Sequence, residues 1–223
     1  MLVTRKRSRR ATRRLRDAEG TRQRLLQAAF REVYRSGFQS AGLDSILDTT
    51  GVTKGALYYH FDSKAGLGHA IVEEVVAGFT RDKWLLPLSS CGNPIDTLIG
   101  IVRRTSVRPE DVRGGCPLNN LAQEMSPLDE GFRKRLAKVF KAWQDGVAAA
   151  LRKGQIQGAV RADLEPNEVA GFLIAMYEGY VSLAKNANDA KVLKVGLGNI
   201  ATWLESLRSA PNHKELEPGR SLT

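Results

Sequence analysis

Gly51-Val-Thr-Lys-Gly-Ala-Leu-Tyr-Tyr-His-Phe-Asp-Ser-Lys64 is the stretch on which the reading turns. Gly51 stops the segment before it, and Thr53 and Ser63 are hydroxyl residues suited to open new helices. Leu57 and Phe61 recur between them at helical spacing. A short helix therefore runs to about His60, and another starts at Ser63 and carries Leu67, Ile71 and Val75. Upstream, Leu43, Ile46 and Leu47 mark a short helix over about 43–49. Before that, Thr21 suits an N-cap, and Leu25, Leu26, Ala29, Phe30 and Val33 share one face until Ser36-Gly37 ends the helix. Three helices in about 40 residues, the last two joined tightly at Gly51, follow the helix-turn-helix plan.

In that plan the second helix of the pair enters the major groove, and its N-terminal residues meet base edges. Thr53 and Lys54 fall there by position, while Gly55 and Ala56 let the backbone come close. Ala56 offers only a methyl for a thymine contact. Tyr58, Tyr59 and His60 can donate to phosphate oxygens, and Lys64 adds charge at the next helix start. Leu57 and Phe61 read as core, since a small domain needs each large apolar group. Tyr58 fits both roles, its ring packed and its hydroxyl outward. Burying Tyr59 or His60 would strand polar groups, which favours a surface role.

Residues 21–69, and Gly51 to Lys64 above all, resemble the DNA-binding domain of TetR-family regulators. The resemblance implies a homodimer, in particular a repressor, whose paired recognition helices bind palindromic double-stranded operator DNA. Carried over by position, Thr53, Lys54, Ala56, Tyr59 and His60 would face DNA, and Tyr58 and Lys64 would grip phosphates. The chain departs from the family's pattern in two places. Ala41-Gly42 stands where a Ser or Thr commonly opens the second helix, leaving backbone N–H groups near Gly42, with Ser40 one residue earlier. Ala56 stands where a hydroxyl residue is frequent, which thins base reading there.

The chain has 223 residues and a formal net charge of +10. Residues 1–24 hold ten Lys or Arg against Asp17 and Glu19, so the remainder is nearly neutral. Such a like-charged block reads as a disordered, solvated tail over 1–20, compatible with a cationic arm that neutralises phosphates. No apolar run reaches the length of a membrane span, and no secretory signal follows the basic stretch. With only Cys91 and Cys116, a reducing cytoplasm fits better than a disulfide framework. His60, His69 and His213 show no metal-ligand spacing, and neither a metal nor another cofactor is implied.

Beyond residue 84, proline and glycine punctuation divides helical segments over 94–107, 117–126, 129–156, 166–185 and 189–208, with Pro94, Pro117 and Pro166 at first-turn positions. The fold class expected is all-α: an N-terminal three-helix helix-turn-helix domain (21–67), then a helical ligand-sensing and dimerisation bundle (68–208), about nine helices in all. Residues 209–223 read as a flexible tail. The last two helices have apolar faces wider than one neighbour covers. They are either core helices of a monomer or, the better explanation of the excess, partners across a two-fold.

Gly114-Gly-Cys-Pro-Leu-Asn-Asn-Leu-Ala-Gln-Glu-Met-Ser126 resembles a subset of the family that includes electrophile sensors. Cys116 at a helix start is expected to have a lowered thiol pKa, with buried filler as the plain alternative. Asn120, Glu124, Trp143, Met176, Tyr177 and Tyr180 are the other candidates for contact with a small-molecule or electrophile effector, although each reads more readily as core or dimer interface. A Cys116 enzyme lacks a histidine near it in sequence, so no enzymatic activity is expected. A non-specific binder driven by the basic tail is the remaining rival.

Overall fold

The structure, a computed structural model, describes the backbone of residues 3–210 and side chains from residue 18 onward. Ten helices follow one another among these residues. They are α1 (Val3–Ser36), α2 (Leu43–Thr50), α3 (Lys54–His60), α4, α5 (Pro94–Arg103), α6 (Pro109–Gly114), α7 (Pro117–Met125), α8 (Glu130–Ile156), α9 (Pro166–Ala187) and α10 (Ala190–Glu205). α4 opens at Lys64–Ala70 and continues unbroken to Leu86–Ser89 through two π-helical stretches, Ile71–Val76 and Arg81–Leu85. The all-α expectation holds. Among the described residues the sole β pairing is an isolated antiparallel bridge between Val160 and Arg208.

The helix boundaries follow local chemistry. Thr53, Ser63, Asn93, Asp129, Glu165 and Asp189 each cap the helix that follows by accepting a backbone N–H, a contribution of about 1 kcal/mol apiece. Pro94, Pro117 and Pro166 occupy first-turn positions as expected, and Pro109 opens α6, a short helix that periodicity did not disclose. Gly51 takes the left-handed conformation (φ 64°) that closes α2.

Two expectations at the N-terminus are corrected. Thr21 does not cap α1 but lies inside it, and residues 3–20, read as a disordered tail, form the helix's first half. Arg, Lys, Ala and Leu are strong helix formers and dominate this stretch, and between Val3 and Ser36 Gly20 is the one glycine and there is no proline. The C-terminal tail expectation falls largely on residues outside those described.

In the N-terminal unit Leu25, Leu26, Ala29 and Val33 of α1 are buried with Ile46 of α2, Leu57 of α3, Phe61 and Leu67 of α4. Arg22 fastens this unit to α4, with a bidentate pair to Glu74 (2.7 and 2.5 Å) and its guanidinium 5.2 Å from the Phe61 ring centre. In the larger unit α9 packs between α8 and α10, and α10 also packs on α5. Trp143 of α8 and Trp84 of α4 lie in its centre, both 2 % exposed. α4 thus reaches from the edge of the small unit to the middle of the large one.

Candidate nucleic-acid interface and the cavity behind it

The face presented by α3 is polar and open. Lys54 is exposed, Tyr58 and Tyr59 are 42 % and 80 % exposed, and the half-buried His60 ring meets that of Tyr59 edge-on at 5.1 Å. Leu57 (0 %) and Phe61 (4 %) take the opposite side as core. The Thr53 hydroxyl accepts the Ala56 N–H (3.2 Å), which leaves its own proton free to donate outward. Ala56 is half-buried. Gly42 is exposed at the start of α2, where no side chain caps the helix and its first N–H groups face outward.

Lys64 is not a free surface cation. Its Nζ donates to the Gln39 carbonyl (2.9 Å) and sits 5.2 Å from the Phe38 ring centre, so it holds the α1–α2 loop against α4. Two of its three N–H groups remain for other partners.

Behind this face, the larger unit and Tyr34 of α1 line a partly open cavity of about 240 Å³. α4 supplies Val76, Phe79, Thr80, Lys83 and Trp84; α8 supplies Trp143; α9 supplies Tyr177, Glu178 and Val181; and Cys116 lies at the mouth of α7. The sequence candidates Cys116, Trp143 and Tyr177 are brought together here. Lys83 donates to the Tyr177 hydroxyl (2.5 Å), and its Nζ lies 4.6 Å from the Tyr177 ring centre and 5.5 Å from that of Trp84. Glu178 is 7 % exposed, and its buried carboxylate oxygens have only the weak Cys116 thiol as a neighbouring donor; the indole N–H of Trp143 is unmet.

These placements reverse the expectation for Cys116. Burial first, and then the Glu178 charge, push its thiol up to about 12, well above an ordinary cysteine. The N–H groups of Leu118 and Asn119 at the start of α7 do pull it down, as the helix-terminus argument requires, but they lose to desolvation. Cys116 is therefore a thiol at neutral pH. Burial also raises Glu178 to about 7 and lowers Lys83. The polar groups that sequence reading missed are Lys83 and Glu178. The signal was available for Glu178, a lone acid on the face of α9 that carries Ile174, Tyr177 and Val181.

The remaining candidates lie elsewhere. Asn120 and Glu124 line a separate groove of about 550 Å³ between α1, α7 and α9. Asn120 donates to the Gly114 carbonyl and accepts from Lys185, both at 2.8 Å. Glu124 accepts the backbone N–H groups of Phe38 (2.9 Å) and Gln39 (2.8 Å). It lies so close to Gly37 (φ +84°) that a Cβ there would sit 3.1 Å from its oxygens. Met176 and Tyr180 do not line the cavity. Tyr180 packs on Gly196 of α10, and its hydroxyl meets the Asn199 amide at 3.2 Å. At the other end of α7 the Tyr34 hydroxyl of α1 donates to the Gly115 carbonyl (2.8 Å), leaving no room for a side chain on Gly114. α7 is thus tied to the small unit at both ends. Among the described residues no cluster suits a metal ion, and no helix is long and apolar enough to cross a membrane.

Comparison with known proteins agrees with this anatomy. The family model for bacterial regulatory proteins of the tetR family matches residues 25–71, and that for the tetracyclin repressor-like C-terminal domain matches residues 95–197. The chain is 32 % identical to the transcriptional regulator AcuR of Cereibacter sphaeroides over 76 % of its own length and 78 % of that protein. It is 27 % identical to the transcriptional repressor DhaR of a Mycobacterium species, over 72 % and 80 %. A TetR transcriptional regulator from Chloroflexus aurantiacus superposes with a TM-score of 0.77 at 29 % identity, covering 87 % of this chain and all of that one. The reduced form of E. coli NemR gives 0.72 at 26 % identity, covering 86 % and 98 %. AcuR, DhaR and the Chloroflexus protein are transcriptional regulators, and both solved structures share this protein's fold. The chain belongs to the TetR family of DNA-binding transcriptional regulators.

Proposed function

We propose that this regulator is a homodimeric repressor that leaves its operator when a small molecule occupies the cavity beside Lys83, Cys116 and Glu178. One observation carries the reading: the cavity and the recognition helix share their supports. α7 begins at Cys116 in the cavity wall and ends in the Glu124 carboxylate that holds Phe38 and Gln39. Lys64, at the head of the helix that carries Lys83 and Trp84, holds the same loop from its other side. A ligand that shifts α7 or α4 therefore acts on the loop that sets α2 and α3. One π-helical stretch of α4, Ile71–Val76, runs from the Lys64 end to the cavity wall, and the other, Arg81–Leu85, carries Lys83 and Trp84 in that wall; both offer an alternative backbone register.

On the DNA, Lys54, Tyr59, His60 and Thr53 read the groove, Ala56 allows close approach, and Tyr58 with the N–H groups after Gly42 holds phosphates. Lys64 acts mainly through the loop. Dimerisation uses α9 and α10, where Phe172, Leu183 and Val195 are exposed at 52 %, 58 % and 61 %, with Trp203 5.2 Å from Phe172. The protonated state of Cys116 favours reversible ligand binding over thiolate modification.

Selection of random duplexes by the purified full chain, followed by sequencing, tests the reading. An inverted repeat with half-sites about one helical turn apart, or a multiple of it, is expected. Enriched sites without symmetry would contradict the dimer, and no enrichment would contradict operator binding altogether.

A further inference from the structure

We infer that the cavity takes a small monocarboxylic acid with a planar or otherwise compact apolar body and a second group that donates a hydrogen bond. The inference rests on the reading that this cavity is the effector site, and it adds the chemistry of the effector.

The volume limits size. Apolar cavities of roughly 150 Å³ hold benzene, so about 240 Å³ accepts a substituted ring or an aliphatic chain of similar bulk. Trp84, Trp143 and Val76 supply the apolar walls.

The polar groups set the ends. Among the described residues Lys83 makes no ion pair; its one hydrogen bond goes to a neutral phenol, and Glu178 reaches it only through its field. A buried amine in that position is completed by an anion, and a carboxylate is the acceptor of fitting size. The unmet Trp143 N–H is a second donor in the same wall. Glu178 is the reverse case, a buried acid whose one neighbouring donor is the weak Cys116 thiol, and a hydroxyl or amino group on the ligand would satisfy it better. Asp111 does not compete, since Arg108 (2.8 Å) and Ser106 (2.5 Å) already engage it. The aromatic walls and Glu178 would also suit an amine. That place is taken, because Lys83 stands as the cation over the Tyr177 and Trp84 rings, and a second cation would meet like charge.

Calorimetric titration of the full chain, without DNA, with benzoate, the three monohydroxybenzoates, phenol and benzylamine tests this. Benzoate is expected to bind, the best hydroxybenzoate roughly tenfold more tightly, and phenol and benzylamine at least tenfold more weakly than benzoate. Lys83→Met should abolish acid binding while Lys83→Arg keeps it, with thermal melting confirming that both fold. Glu178→Leu removes a buried unpaired acid and should fold well, bringing the hydroxybenzoates level with benzoate. Benzylamine or phenol binding as well as benzoate, undiminished acid binding by Lys83→Met, or no binding of any probe at 5 mM, as roughly the weakest affinity still worth several kcal/mol, would overturn the assignment. A parallel gel shift on a selected duplex separates the two readings. Acids that bind without releasing DNA would defeat the release reading alone, and release by other compounds would defeat the acid assignment alone.

Discussion

On α3 Tyr59 is 80 % exposed and Lys54 lies open to solvent, whereas Glu178 in the cavity wall is 7 % exposed and has only a weak thiol donor beside it. The recognition face keeps its polar groups hydrated, so each costs the fold almost nothing and waits for phosphates and bases. The cavity holds its polar groups out of water, where burial moves Glu178 to about 7, and burial together with the Glu178 charge moves Cys116 to about 12. One surface spends no stability on being ready to bind. The other stores an unfavourable arrangement that a ligand relieves, and such a site is built to respond.

The comparison is broken most forcefully on the DNA side. Lys54→Ala combined with Tyr59→Ala is expected to weaken binding to a selected operator by roughly 100-fold or more, near 3 kcal/mol. Its melting temperature should stay close to that of the unaltered chain, because both side chains are exposed. A large loss of stability would show that the face is not free of structural duty.

The cavity side has the opposite signature. A carboxyl raised from its ordinary 4.5 to about 7 is protonated more readily in the folded chain. Glu178 therefore adds stability that is complete below about pH 4.5 and lost as the pH rises through about 7. Glu178→Gln should raise stability at pH 8 by about 2 kcal/mol and leave it nearly unchanged at pH 4.5, read from denaturant unfolding at the two pH values. Equal effects at both would mean that the carboxyl is solvated.

A smaller effect concerns what joins the two regions. Glu124→Ala removes both acceptors from the Phe38 and Gln39 amides. Their hydrogen exchange is expected to quicken about tenfold, a local loss of about 1.4 kcal/mol, with the fluorescence of the cavity tryptophans unchanged. Unaltered exchange would remove α7 as the connection. The smallest effect is at the cap: Thr53→Ala should cost about 1 kcal/mol, visible as a lowered melting temperature.

The same contrast explains what the sequence disclosed. The recognition helix is a local object: capping by Thr53, the stop at Gly51 and the core role of Leu57 and Phe61 all rest on neighbours within a few residues. The helix starts at Pro94, Pro117 and Pro166 were legible for the same reason. The cavity joins residues more than 90 apart, such as Lys83 and Tyr177, and periodicity on either helix does not say which faces meet. Cys116 shows the limit most clearly. Its place at a helix start was readable, but the sign of its pKa shift depended on Glu178 and on burial, both set by packing. Glu124 read as a sensor and stands as a tie to the α1–α2 loop, because its partners are backbone N–H groups 85 and 86 residues away. The run of α1 back to Val3 was missed because charge was weighed there above helix propensity.

The most direct test of the account is an anisotropy titration of the full chain against a duplex from its own upstream region and against a scrambled duplex of equal length, at two salt concentrations. The account predicts that the upstream duplex binds about 1,000-fold more tightly or better, and that Lys54→Ala with Tyr59→Ala cuts the difference by roughly 100-fold. Equal affinities for the two duplexes, falling steeply together as salt rises, would contradict it and leave only charge-driven binding through the basic stretch.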